Sequence, residues 1–157
     1  MTKPIAGTFG VTDFIVSLVT SDLSQDQATY RLRNGTGSSI AWILGHLLHY
    51  RHVTMAALGS PTDSPFATAF GEAAASDGDD YPPLESLVDA WRQTAASLQE
   101  VLAGVSEATL LASADGAHGE KTVLDNITFF LWHEAYHMGV LGAIRTEAPV
   151  SRTRNMS

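Results

Sequence analysis

The feature that most constrains this chain is a long connection, "SPTDSPFATAFGEAAASDGDDYPP" at residues 60–83, set between two segments of helical periodicity. Pro, Gly and acidic side chains crowd it, so it reads as connecting chain and not as part of either helix. A helix of ~20 residues is about 30 Å long. Antiparallel neighbours are joined by a few residues, whereas parallel neighbours need a crossover that runs back along the bundle. The segment therefore predicts that the helices before and after it are parallel.

Four long helical patterns surround that reading, with no strand alternation, internal repeat or low-complexity tract. The first runs from about Gly7 to Leu23, with Phe14, Ile15, Leu18 and Val19 at helical spacing. The polar stretch "SQDQATYRLRNGTGSS" then reads as a short helix and a Gly/Ser loop. The second pattern runs from about Ser39 to Leu58, with Ser38 or Ser39 as N-cap and Gly59 with Pro61 as the stop. It is apolar nearly all round, which marks a buried helix. The third, about Pro83 to Ala103, carries Leu84, Leu87, Val88, Trp91, Leu98, Val101 and Leu102 on one stripe, with Gly104 past its end. "SEATLLASADGAHGE" connects it to the fourth, about Val123 to Glu147, which Thr122 and Asp125 open as a capping box with a shortened acid. The tail "SRTRNMS" reads as a frayed end. The expectation is an all-α protein, one four-helix-bundle domain over residues 1–157, up-down-down-up with the long crossover between helices 2 and 3.

Composition narrows the function classes. With 45% hydrophobic residues the chain can build a sizeable core. Its net charge is -8, and its 9 Lys and Arg are scattered, so no footprint for a nucleic-acid backbone is visible. There is no cysteine, which removes disulfides, thiolate ligands and a cysteine nucleophile together, so any thiol chemistry must use an external thiol. No segment reaches the roughly 18 apolar residues of a membrane span, and no signal peptide is recognisable, so a cytoplasmic location is the expectation.

The chemistry concentrates in histidines. In "LWHEAYHMGVLGAIR", residues 131–145, His133 and His137 stand one helical turn apart on a stripe with Phe129, Phe130, Val140, Leu141 and Ile144. Both rings are expected to face the core or a cleft, where each nitrogen needs a partner that a bound metal would supply. Helix 2 offers a third ligand in "SSIAWILGHLLHYRH", where His46, His49 and His52 follow at intervals of three. At about 100° per residue, His46 is the best inward choice, His49 falls at the rim, and His52 reads as a solvated surface residue. His118, in "DGAHGE", reads as exposed.

"SSIAWILGH" on the second helix, together with "HEAYHMGVLGAIR" on the last, resembles the DinB-like family of metal-binding four-helix proteins. The resemblance covers nearly the whole chain, including the long crossover and the plain third helix. It implies a divalent metal held by one histidine of helix 2 and two of helix 4, here His46, His133 and His137. It also implies metal-dependent transfer or isomerisation of a small-molecule substrate with a low-molecular-weight thiol such as mycothiol or bacillithiol, and a homodimer, since many relatives pair. Three neutral imidazoles themselves suit zinc or nickel better than calcium or magnesium, and they leave coordination positions open.

Glu134 needs its own reading, because "HEAYH" matches the H-E-x-x-H motif of zinc proteases letter for letter. The extended protease motif would want Gly at 140 and His at 143, where this chain has Val140 and Ala143, and Glu147 is the only acid downstream. No strand pattern offers an edge for a peptide. Glu134 is therefore expected at the bundle edge or supporting a ligand, with catalytic general base as the other role. Beside the thiol-dependent enzyme stand a hydrolase that uses bound water and a noncatalytic metal or small-molecule binder of stress response. Trp42, Tyr50, Trp132 and Tyr136 would line a pocket in any of these, or pack in the core.

Overall fold

The computed structural model describes residues 2–70, 81–115, 119 and 121–149. Its elements in order are α1 (Thr2–Thr20), α2 (Gln25–Ala28), α3 (Leu32–Gly35), α4 (Ile40–Ala57), α5 (Ala67–Phe70), α6 (Leu84–Gly104), α7 (Glu107–Leu111) and α8 (Val123–Glu147). Among the described residues there is no strand, only one isolated bridge between Ser113 and Thr122. The four long helices answer to the four sequence patterns, and their ends follow side-chain caps. The Ser39 side chain accepts from the Trp42 backbone N–H. Thr122 and Asp125 complete the expected capping box, each accepting from the other's backbone N–H. Gly59, with φ 85, then turns the chain out of α4.

Two ends differ from expectation. α1 begins at Thr2 and not near Gly7, because Pro4 in a first turn has no N–H that the helix would miss, and it ends at Thr20, short of the Leu23 expected. The connection after α6 also holds a helical turn, α7, capped by the Ser106 side chain on the Thr109 N–H. Residues 71–80 of the predicted crossover, His118 and the tail from 151 lie outside the described residues.

α4 and α1 each pack against both α6 and α8. Two apolar clusters occupy the space enclosed. One joins Val16 and Val19 of α1, the first half of α4, Leu84, Leu87 and Trp91 of α6, and Met138, Leu141 and Ile144 of α8. The other joins Phe9, Met55, Leu58, Leu98, Leu102, Val123 and Ile127. Phe70, from α5, is buried in the first cluster directly against Gly45, where any Cβ would overlap its ring.

The inward face of α1 is a correction. Phe9, Thr12, Val16 and Val19 are buried, whereas Phe14 and Leu18, expected to pack, are 66% and 62% exposed. Extending the helix toward the N-terminus brings in Phe9, and the stripe Phe9–Thr12–Val16–Val19 fixes the rotation that leaves Phe14 and Leu18 outside.

Candidate metal centre

The groove between α4 and α8 brings the three predicted histidines together. Nε2 of His133 lies 3.1 Å from Nε2 of His46 and 3.2 Å from Nε2 of His137. The three rings offer ligand atoms that all lie within 4.8 Å of one another, a group that could hold a metal ion. A neutral imidazole nitrogen carries either one hydrogen or one lone pair, so His133 Nε2 can make one good hydrogen bond of the two. A shared cation would satisfy all three nitrogens at once.

Electrostatics keep these rings ready for such a cation. Burial, then the neighbouring His137 and His133, pushes the His46 pKa down to about 3. Burial and then His133 push His137 to about 4. Burial lowers His133 as well, against an opposing pull from Glu134. At neutral pH all three are uncharged, the form that ligates. Aromatic rings enclose them: Trp42 stacks on His46 at 4.6 Å, and Tyr50 sets its ring 4.9 Å from His46 and 4.8 Å from His133. Trp42 is part of the first core cluster and lies against the centre as well, and Tyr50 lines it, so both of the placements weighed for these aromatics occur. Trp132 and Tyr136 stack on each other on the outer surface, 62% and 61% exposed.

His49 stays outside the group, at its rim, with its ring against Tyr50. His52 is not the solvated residue expected. It is half-buried, with Nδ1 at 2.7 Å from the Thr62 hydroxyl and Nε2 at 3.5 Å from that of Thr94, and so links the start of the crossover to α6.

Residues 16–141, more than half of the chain, match the family model of the DinB superfamily. The chain belongs to the DinB superfamily. No curated protein matches it. The superfamily match contains all three histidines, while Thr12 and Asp13 of α1 precede it.

Those two α1 residues belong to a second polar site of this DinB-superfamily chain, which sequence reasoning missed. Arg51 of α4 is 1% exposed, and its guanidinium meets the other three long helices. Nε and Nη2 donate to the two carboxylate oxygens of Glu134 at 2.9 and 2.6 Å. Nη1 lies 2.6 Å from Asp13, Nη2 donates to the Thr12 hydroxyl at 3.2 Å, and the Trp91 ring of α6 lies under Cζ at 3.8 Å. Thr12 also bonds one Glu134 oxygen. Burial raises the Asp13 pKa, partly offset by Arg51. Burial alone would lower that of Arg51, but Glu134 and Asp13 outweigh it and raise it.

Glu134 is therefore in the core, 3% exposed, and not at the bundle edge. The inward stripe of α8 runs Val123, Ile127, Glu134, Met138, Leu141, Ile144, which leaves His133 and His137 half-buried beside it, facing α4. A signal existed. Arg51 sits within a helix that is apolar nearly all round, so a buried position, with carboxylates to pair it, could have been read. α1 has one acid, Asp13, and α8 has one between Asp125 and Glu147.

Proposed function

We propose that this DinB-superfamily protein is a metal-dependent enzyme in which His46, His133 and His137 hold a zinc or nickel ion, and which acts on a small molecule with a low-molecular-weight thiol as cosubstrate. The observation that carries the reading is the convergence of three Nε2 atoms whose contacts cannot all be hydrogen bonds. Three neutral nitrogen ligands favour zinc or nickel. When bound there, such an ion supplies a Lewis-acid position that lowers the pKa of a coordinating thiol. The chain has no cysteine, so the thiol comes from outside.

The protein's own part is to hold the rings uncharged, to limit water with Trp42 and Tyr50, and to fix α4 against α8. Glu134 does the last of these through Arg51. With both oxygens on Arg51 it is a positioning residue, and a hydrolase reading would need a base from elsewhere. The up-down-down-up arrangement of one domain belongs to the same proposal: the first halves of α4 and α6 share a cluster with the second halves of α1 and α8. A homodimer is supported by the exposed apolar row of Val11, Phe14 and Leu18 on α1.

Metal analysis of purified variants tests the centre. His46→Ala, His133→Ala or His137→Ala is expected to lose most of the metal, and His52→Ala to keep it. Full occupancy in His46→Ala overturns the proposal. Cobalt-loaded protein titrated with 2-mercaptoethanol is expected to develop a sulfur-to-metal band that His133→Ala lacks.

A further inference from the structure

Next to the histidine centre lies a cleft of about 270 Å³, with Arg33, Thr36 and Ser38 on one wall and Tyr136, His137 and Val140 on the other. Its described lining contains one charged side chain, Arg33, and no acid, in a chain whose net charge is -8. Arg33 is exposed and its guanidinium has no hydrogen-bond or ion-pair partner among the described residues, whereas Arg31 donates to the Gly37 carbonyl at 2.6 Å. The Thr36 hydroxyl is occupied, donating to the Arg33 carbonyl at 2.8 Å, while the Ser38 hydroxyl has no partner among the described residues.

The backbone that carries Arg33 is itself unusual. Arg33 and Asn34 have φ 54 and 56, and Gly35 follows at 86, so α3 is a turn through the left-handed region. Two consecutive non-glycine residues adopt that region at a cost, and such outliers cluster where a binding site dictates the geometry. Leu32 at its start packs against the first apolar cluster, but Arg33, Asn34 and Gly35, which carry the left-handed angles, are exposed, so packing in the core does not account for them. Its effect is to present an unpaired guanidinium at the cleft that His137 also lines.

We propose that this cleft receives the carboxylate end of the substrate or of its thiol cosubstrate. The Arg33 guanidinium pairs with the carboxylate, the Ser38 hydroxyl donates to it, and the molecule's other end reaches the histidine centre past His137. A guanidinium fork matches a planar carboxylate, and a single cation balances a single negative charge where a phosphate dianion would leave one uncompensated. This assignment deepens the proposed function and rests on it for what lies at the far end of the cleft.

The test uses the cobalt-loaded full chain and a series of ω-mercaptocarboxylates of one to five methylenes, each paired with the mercapto-alcohol of equal length. At the best length the carboxylate is expected to bind about 10-fold tighter than the alcohol, the scale of one partly exposed charge-assisted contact, and added salt should erode the difference. Arg33→Gly, which suits the left-handed backbone and so keeps the fold, should abolish the preference and leave alcohol binding and the melting temperature no lower. Equal affinity at every length, or a preference that survives Arg33→Gly, overturns the assignment. A failure of the metal reading is distinguishable. If no cobalt enters the histidines, titrating propionate into the metal-free protein still decides the cleft: saturable amide shifts at Leu32–Ser38 that Arg33→Gly lacks support it, and their absence overturns it.

Discussion

Replacing Glu134 by Gln probes the network that the histidine groove depends on. The side chain keeps its shape, but it loses the charge facing Arg51 and turns an amide donor toward a guanidinium that has only donors. Removing one partner of a buried ion pair costs ~3–5 kcal/mol. Here Asp13 remains 2.6 Å from Nη1, and its side chain, 23% exposed, keeps some access to water. The residual pair offsets part of the loss, so we expect ~2–4 kcal/mol, a large share of the ~5–15 kcal/mol that holds a typical domain together. Urea denaturation of metal-free protein at pH 7 measures it, with Arg51→Met and the double variant completing a cycle. The double variant is expected to be more stable than the sum of the singles by at least ~1 kcal/mol, because each single change strands the other charge in the core. A cost below ~1 kcal/mol for Glu134→Gln, or a cycle additive within ~0.5 kcal/mol, would refute the network as the tie between α4 and α8. If Glu134→Gln were neutral for stability yet removed a thiol-independent hydrolysis, Glu134 would be a base after all.

The remaining predictions concern acid, packing and capping. His46 and His137 titrate at about 3 and about 4 in the fold against about 6.5 unfolded, so between those values the unfolded chain binds more protons and stability rises with pH. Metal-free protein is expected to hold its full histidine contribution above pH 6.5 and to lose it progressively toward pH 3. Asp13, whose pKa is raised, acts in the opposite sense but is one group against four histidines, since His133 and His52 are lowered as well. A urea midpoint that is flat or rising from pH 6.5 to 4 would contradict this. Gly45→Ala should destabilise by ~1–3 kcal/mol, because the new methyl must displace the buried Phe70 ring, and that outweighs the ~1 kcal/mol alanine gains in a helix; a raised melting temperature would show that Phe70 yields freely. Thr122→Ala should cost ~1 kcal/mol by removing the α8 cap, with near-neutral stability as the contrary result.

Helix positions were legible in the sequence because their causes are local. The Thr122–Asp125 box, the Ser39 cap and the Gly59 exit each act within about one turn, so the limits of α4 and α8 could be read within a residue or so. The histidine group was legible for the same reason. His133 and His137 share a face by helical spacing alone, and His46 is the helix 2 histidine whose angle brings it toward them. The resemblance to the DinB-like family added the pairing between the two helices, which spacing within one helix cannot specify.

What the sequence alone determined, then, is the set of helices, the caps that end them and the stripe that carries each histidine. Tertiary packing decided the rest. Arg51 meets Glu134 across 83 residues and Asp13 across a different helix, and nothing within one turn of any of them announces the partner. Phe14 and Leu18 repeat at helical spacing as well as Phe9 and Val16 do, so periodicity allows either face of α1 to turn inward. The choice goes to the face that carries Thr12 beside Asp13, because a guanidinium held in the core needs those oxygens, and exposing the apolar side chains of Val11, Phe14 and Leu18 costs less than leaving that charge unpaired. The left-handed turn at Arg33 is likewise invisible to pattern, since "RNG" marks a loop without stating its hand, and only its place against α8 puts a cation beside His137.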